Sequence, residues 1–190
     1  MMKFLIGTAG IVMVVAAFAS SAALAEEPGY GYIEGGYLRV DPDDFSGSGD
    51  NWYALGSMGL GKHFHLSGKY ISGNYADNVD LSLWQFAAGW HGGLGEKADI
   101  VAEATWTKQE IDNNSDDGAG LTAGVRWRIV KMFELDGFAH WTDFGDAGST
   151  DSYEARAIID IWRLGFGGAA TFSSDDTEYS AFVRFNFGRD

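Results

Sequence analysis

Apolar and polar residues alternate along most of this chain. From Tyr30 onward the apolar positions recur every second residue, and no helix-length stretch repeats about every 3.6 residues. This period-two pattern predicts ten strands of about ten residues each. They are expected at residues 30–40, 51–61, 63–73, 80–91, 98–110, 119–129, 133–143, 152–161, 162–173 and 178–187.

The lengths of these strands and of the segments between them indicate how the sheet closes. Strands of about ten residues match the roughly 9–11 residues of a tilted membrane-spanning strand. Long connections, such as 41–50 and 144–151, alternate with short ones, such as 61–62 and 130–132. Long loops at one rim and tight turns at the other are typical of outer-membrane barrels. We therefore predict an all-β protein, a single closed antiparallel transmembrane β-barrel with long extracellular loops and short periplasmic turns.

The positions of the tryptophans predict a lipid-facing surface. When one side-chain parity of each strand is taken as outward, all seven tryptophans fall on outward positions near strand ends. Indole prefers the boundary between lipid headgroups and hydrocarbon, so two rings of aromatics mark the edges of a bilayer. The alternative is a soluble barrel or sandwich that buries this face in its core. The predicted aromatic girdles contain Trp52, Trp84, Trp90, Trp106, Trp127, Trp141 and Trp162.

The opposite parity carries charge, which predicts a polar lumen. Seven acids and six bases occupy inward positions, close to balance. An ion path or proton relay is one interpretation; the favoured one is a structural network that plugs the tube. A barrel of about eight strands is already filled by its own side chains, so ten leave little extra room. The predicted lumen residues are Glu34, Lys69, Glu103, Arg126, Arg128, Glu134, Asp136, Glu154, Arg156, Asp160, Arg163, Glu178 and Arg184.

Two hairpins are expected to set opposite charges face to face in this lumen. One hairpin is centred on Lys131 and the other turns between Ile161 and Trp162. Directly opposed charges attract across a ladder, and pairing lowers the cost of holding ions in a narrow interior. The expected pairs are Arg128 with Glu134, Arg126 with Asp136, and Asp160 with Arg163.

The first 25 residues have the three parts of a secretory signal peptide. Lys3 precedes an apolar run at 4–18, and Ala-Leu-Ala at 23–25 forms a cleavage box. A transmembrane helix is the competing interpretation, but the run falls short of the roughly 20 residues that span a bilayer. We expect cleavage before Glu26, which leaves residues 26–190 as the barrel domain.

Composition narrows the function classes. The chain contains no cysteine, which excludes disulfides, a thiolate nucleophile and cysteine-bound metal. A formal net charge of −14 argues against a nucleic-acid partner, whose phosphates require clustered lysine and arginine. The acids concentrate in the predicted long loops, where they are expected to keep the loops solvated and apart.

Candidate catalytic and metal-binding residues are few. None of the four histidines is spaced with a second ligand as in a zinc array. His140 has Asp143 three residues on, and a histidine with carboxylates at the outer mouth resembles the site of the omptin proteases. The oxygen-rich loop 112–118 suggests a calcium site but lacks the terminal glutamate of an EF-hand loop. We expect no catalytic residue, no metal and no cofactor.

With the strands placed, the chain resembles small Gram-negative outer-membrane β-barrels, including those of the outer-membrane protein A type. It is most similar to the barrel family named for activating plant immunity in rice, through residues 30–37 (YGYIEGGY) and 135–139 (LDGFA). In the last strand, Val183, Phe185 and Phe187 resemble the C-terminal signal that the outer-membrane assembly machinery recognises, although three residues follow it. The resemblance implies location and architecture, and it carries no catalytic residues.

These observations predict a non-enzymatic protein of the Gram-negative outer membrane with a structural or surface-interaction role: envelope integrity, adhesion and biofilm, or host recognition. The expected partners are outer-membrane lipid and lipopolysaccharide, and the assembly machinery through the last strand. Two alternatives stay open, a narrow porin-like channel for small solutes and an omptin-like surface hydrolase.

Overall fold

Alternation of inward and outward side chains carries the chain through ten antiparallel strands. The computed structural model describes residues 28–43, 47–76, 79–112 and 114–187. The predicted signal peptide and its cleavage site lie outside the described residues. The strands are β1 Tyr32–Pro42, β2 Gly49–Leu60, β3 Phe64–Ala76, β4 Val79–Gly93, β5 Ala98–Ile111, β6 Asn114–Val130, β7 Phe133–Asp143, β8 Ser149–Ile161, β9 Leu164–Ser173 and β10 Asp176–Asn186. A 3₁₀ turn at Gly145–Ala147 interrupts the connection between β7 and β8.

The sheet closes on itself as predicted. Each strand pairs with its neighbour in sequence, and β1 pairs with β10 to complete the barrel. The seam between the first and last strands runs from the pair Tyr32 and Asn186 to the pair Pro42 and Asp176. Closure leaves no unpaired sheet edge, which is the condition for a β-sheet to exist in hydrocarbon. Among the described residues, no helix is long and apolar enough to cross a membrane.

The two ends of the barrel differ in their connections. We call the end that carries the β2–β3, β4–β5, β6–β7 and β8–β9 connections, together with the start of β1 and the end of β10, the turn rim. The opposite end, which carries the other five connections, is the loop rim. In the predicted orientation the turn rim faces the periplasm and the loop rim faces the outside of the cell.

At the loop rim, strands continue where the sequence analysis expected loops. β6 begins at Asn114, and Asn114 pairs with Ile111, so only residues 112–113 separate β5 from β6. Asp112 adopts a φ of 53°, the left-handed conformation that a two-residue hairpin turn requires. The polar composition of residues 112–118 suggested a loop. Outside the hydrocarbon region, however, strand pairing through the backbone does not require apolar side chains. The longer loop-rim connections are 43–48 and 144–148.

The turn between β8 and β9 falls one residue later than predicted. Ile161 pairs with Leu164, so Trp162 and Arg163 form the turn, and Trp162 takes a φ of 59°. Asp160 therefore lies opposite Gly165 rather than Arg163, and the expected pair of Asp160 with Arg163 was wrong. The other hairpin is confirmed, because Arg128 pairs with Glu134 and Arg126 with Asp136.

Candidate functional site in the barrel lumen

The outer surface carries the predicted tryptophans. Trp162 is 75% exposed and Trp52 is 70% exposed. Trp84, Trp90, Trp106 and Trp141 are also exposed, whereas Trp127 is half-buried. A soluble barrel or sandwich with these residues in its core would bury them, so their exposure favours contact with lipid.

The opposite face encloses a network of buried ions in the half of the lumen near the turn rim. Glu134, fully buried, accepts hydrogen bonds from Arg126 at 2.6 Å and from Arg128 at 2.5 Å. Arg184 reaches the same carboxylate from β10 at 3.4 Å. Three guanidinium groups from two strands, β6 and β10, therefore converge on one carboxylate. We call the set Glu34, Arg126, Arg128, Glu134, Asp136, Arg156, Asp160 and Arg184 the ion network.

Glu34 is the second centre of the ion network. Its carboxylate accepts hydrogen bonds from Arg156 at 2.7 and 2.8 Å, from Arg184 at 2.9 Å, and from the Tyr53 hydroxyl at 2.9 Å. Arg184 bonds both Glu34 and Glu134, so it joins the two centres. Four arginines face four acids, and this balance offsets the large cost of taking each charge out of water.

Two of these ion pairs cross the lumen. Glu34 on β1 bonds Arg156 on β8, and Arg184 on β10 bonds Glu134 on β7. Neither pair of strands is adjacent in the sheet. Each contact therefore joins strands that lie three positions apart around the barrel, which the pairing of neighbouring strands alone could not do.

Aromatic rings cover the guanidinium groups of Arg126, Arg156 and Arg184 in the ion network. The Arg184 guanidinium lies 4.0 Å from the Tyr32 ring centre, and Arg126 lies 4.7 Å from that of Tyr30. Arg156 lies 4.7 Å from the ring centre of Phe182. A cation held over a ring face is stabilised electrostatically, more so when it is shielded from water. The sequence analysis missed these rings, although Tyr32 and Phe182 share the inward parity of Glu34 and Arg184.

Towards the loop rim the lumen is filled by apolar side chains, which the sequence analysis also missed. Leu38, Val40, Ile71 and Leu81 are buried here and pack with Tyr53. We call this cluster the apolar layer. All five residues occupy inward positions in the loop-rim halves of β1 to β4. The prediction followed charged residues on the inward parity and so overlooked apolar ones at the same spacing.

A polar cavity of about 100 Å³ lies inside the barrel. Its volume and lining suit a few water molecules. The predicted lumen residue Lys69 lines it, and its ammonium group lies 5.5 Å from the Tyr53 ring centre. Glu154 also lines it, 3.6 Å from Arg156. Arg163, by contrast, lies in the β8–β9 turn with its guanidinium 5.3 Å from the Trp162 ring centre, outside the ion network.

The structure brings together two histidines that the sequence analysis left apart. His65 Nδ1 lies 3.3 Å from His91 Nδ1, and His65 Nε2 lies 2.7 Å from a Glu103 carboxylate oxygen. Tyr30 stacks on His91 at 3.6 Å between ring centres. Both histidines face inward beside the turn rim. Their inward position could have been predicted from the alternation of side chains along the strands. Among the described residues, no group of three or more metal-binding side chains converges.

The catalytic and calcium candidates do not assemble. His140 faces the lumen and its Nδ1 lies 2.9 Å from the Thr122 hydroxyl, whereas Asp143 is exposed and accepts a hydrogen bond from the Gly145 amide. Residues three apart in a strand point to opposite faces, so this pair forms no dyad. Likewise Asp116 and Asp117 are neighbours in β6 and project to opposite sides.

The architecture matches solved membrane barrels. No protein-family model matches the chain, and no curated protein sequence does. The KdgM porin structure superposes with a TM-score of 0.51 at 12% identity, covering 82% of this chain and 99% of the porin. The NanC porin gives a TM-score of 0.55 at 9% identity, covering 83% of this chain and all of the porin, 100%.

The chain has the fold of an outer-membrane β-barrel. At these identities the likeness shows the fold alone, so the general resemblance is confirmed. The narrower resemblance to the rice-immunity barrel family stays a prediction.

Proposed function

We propose that this chain is a non-enzymatic barrel of the Gram-negative outer membrane that serves as a structural and surface-interaction protein, with its lumen closed by its own side chains. The observation that carries the proposal is the pair of cross-lumen contacts, Glu34 with Arg156 and Arg184 with Glu134. An open pore needs water along its axis, whereas these side chains reach across the lumen; three of them are buried, and the Arg156 side chain is only 11% exposed. The apolar layer closes the same lumen nearer the loop rim.

The proposed role is to hold surface connections on a rigid support. A closed ladder positions loops far more firmly than the loops could position themselves, and loops carry most recognition. Here the longer connections at the loop rim, 43–48 and 144–148, and the strand extensions that flank them would meet the outside of the cell. Their acids favour cations or basic surfaces over anionic partners.

Conductance tests this proposal. Purified protein in planar bilayers is expected to show no steady, large conductance, because the ion network and the apolar layer block the axis. The triple variant Glu34→Ser, Arg156→Ser, Arg184→Ser removes three of the four cross-lumen side chains and is expected to raise ion flux. The matched control Lys108→Ser, Glu110→Ser alters an exposed ion pair of 2.9 Å and should stay closed. Steady, large conductance of the unmodified protein would overturn the proposal.

A narrow channel is the second candidate. The polar cavity favours it, as does the description of both KdgM and NanC as porins. Such a channel would show small, brief openings that the triple variant lengthens. Liposome swelling with solutes of graded size distinguishes it from a closed barrel, because a closed barrel admits none of them.

A further inference from the structure

The connections at the two rims of the barrel carry opposite charge. Each of the four turn-rim connections contains one base: Lys62, Lys97, Lys131 and Arg163. Glu96 is the single acid in those four segments. Each of the five loop-rim connections contains at least one aspartate and neither lysine nor arginine. The charges thus sort by rim, although the chain as a whole is acidic.

Each basic connection also holds or borders a large, exposed apolar side chain. Phe64 follows Lys62 closely, Leu94 precedes Lys97, Met132 follows Lys131, and Trp162 precedes Arg163; all four are exposed. Arg163 lies with its guanidinium over the Trp162 ring. An apolar side chain beside a cation is the pairing found where hydrocarbon ends and headgroups begin. The four connections therefore have the side-chain composition expected of a bilayer boundary.

We infer that the turn rim is a binding surface for anionic phospholipid headgroups, with one cation in each hairpin turn. We call Lys62, Lys97, Lys131 and Arg163 the basic ring. Charge complementarity argues for this occupant, because a basic segment near a membrane surface attracts anionic lipid over about a Debye length. The adjacent apolar side chains favour a lipid over a soluble polyanion, since they would be solvated in a complex with the latter. The inference rests on the membrane barrel of the proposed function and adds a lipid preference to it.

Spin-labelled lipids test the inference directly. The purified protein is reconstituted in phosphatidylcholine vesicles that contain either labelled phosphatidylglycerol or labelled phosphatidylcholine, and the motionally restricted fraction is measured. We expect the restricted fraction to favour phosphatidylglycerol by about threefold or more at low salt. The preference should collapse at about 1 M NaCl, where the Debye length falls to about 3 Å.

Charge-neutralised variants locate the surface. The variant K62Q/K97Q/K131Q/R163Q is expected to lose the preference, and each single substitution is expected to lose part of it, which keeps the test valid should the fourfold variant fold poorly. The control R39Q/K108Q removes two cations near the loop rim, where each pairs with an acid at 3.1 and 2.9 Å, and should keep the preference. Heat-modifiable migration in electrophoresis verifies that each variant is folded.

Three outcomes would overturn the inference: equal restriction of both lipids by the unmodified protein, an undiminished preference in the folded basic-ring variant, or an equal loss in the control. Retention of soluble peptidoglycan fragments through the same cations, without a lipid preference, would also overturn it. None of these readings depends on conductance. Failure here is therefore distinguishable from failure of the closed-lumen proposal.

Discussion

At the scale of single residues, the molecule depends on carboxylates that have no access to water. Glu134 is enclosed by arginines, and Arg128, itself buried, has an Nε without a hydrogen-bond partner among the described residues. An ion in such a place is stabilised only by its partners, so a change of one charge affects every group around it. Exposed pairs, such as Lys108 with Glu110, are screened by solvent and depend little on each other.

The first prediction concerns Glu134→Gln. Removing this charge leaves Arg126, Arg128 and Arg184 close together without their shared carboxylate, so the free energy of unfolding should fall by about 3–5 kcal/mol. Urea unfolding in detergent micelles, followed by tryptophan fluorescence, measures the change. The exposed control Glu110→Gln should unfold close to the unmodified protein. A loss in Glu134→Gln no larger than in the control would mean that the ion network contributes nothing to stability.

At the scale of strands, the inward and outward faces of the barrel wall accommodate side chains of different size. Gly124 on β6 faces inward, where an added Cβ would lie 2.3 Å from a Phe138 ring carbon and 2.4 Å from the Gly137 carbonyl oxygen. Gly137 on β7, beside it, faces outward and has nothing within 4 Å of the same added atom. The two glycines therefore have different roles. Gly124 allows the close approach of a lumen side chain and the neighbouring backbone, whereas Gly137 only leaves space on the outer face.

This contrast yields the second prediction. Gly124→Ala should destabilise the barrel by about 1–3 kcal/mol, since backbone and a lumen ring must shift to admit a methyl group. Gly137→Ala should be neutral or stabilise slightly, because alanine restricts the unfolded chain more than glycine does and meets open space in the folded one. The same urea titration compares the two. Equal losses at both sites would show that the faces are packed alike.

Strands also show what the sequence could and could not predict. Period-two alternation located all ten strands and their inward and outward faces, because burial on one side forces that period. The hairpin at Lys131 was predictable, since a short turn fixes register, but the β8–β9 turn was misplaced by one residue because Trp162 has no turn-forming signature. Contacts across the lumen, such as Glu34 with Arg156, could not be predicted. They depend on the curvature of the whole sheet, which no local pattern encodes.

At the scale of the whole molecule, the rims fix how the barrel sits in a membrane. Ten strands place the start of β1 and the end of β10 at the same rim, together with the basic ring, and place the acidic connections at the other. The exposed tryptophans fall into two groups along the strands, one towards each rim. The longer connections at the loop rim predict a single orientation, with the loop rim outside the cell.

Cysteine labelling checks this orientation, since the chain has no cysteine of its own. Asp146→Cys in the β7–β8 connection should react with a membrane-impermeant maleimide on intact cells. Lys131→Cys in the β6–β7 turn should react only after the outer membrane is permeabilised. Labelling of Lys131→Cys on intact cells, or protection of Asp146→Cys there, would reverse the assignment.

The bond between Glu34 and Arg184 joins residues 150 positions apart in the chain. Until β10 docks, the carboxylate near the start of the barrel has no counter-ion from the end of it, and the incomplete tube must keep water around that charge. Docking of the final strand would therefore do two things at once, sealing the seam and drying the interior. A chain cut short before Arg184 would remain an unclosed sheet with a hydrated inner face. This difference gives the cell a physical basis for distinguishing finished barrels from unfinished ones.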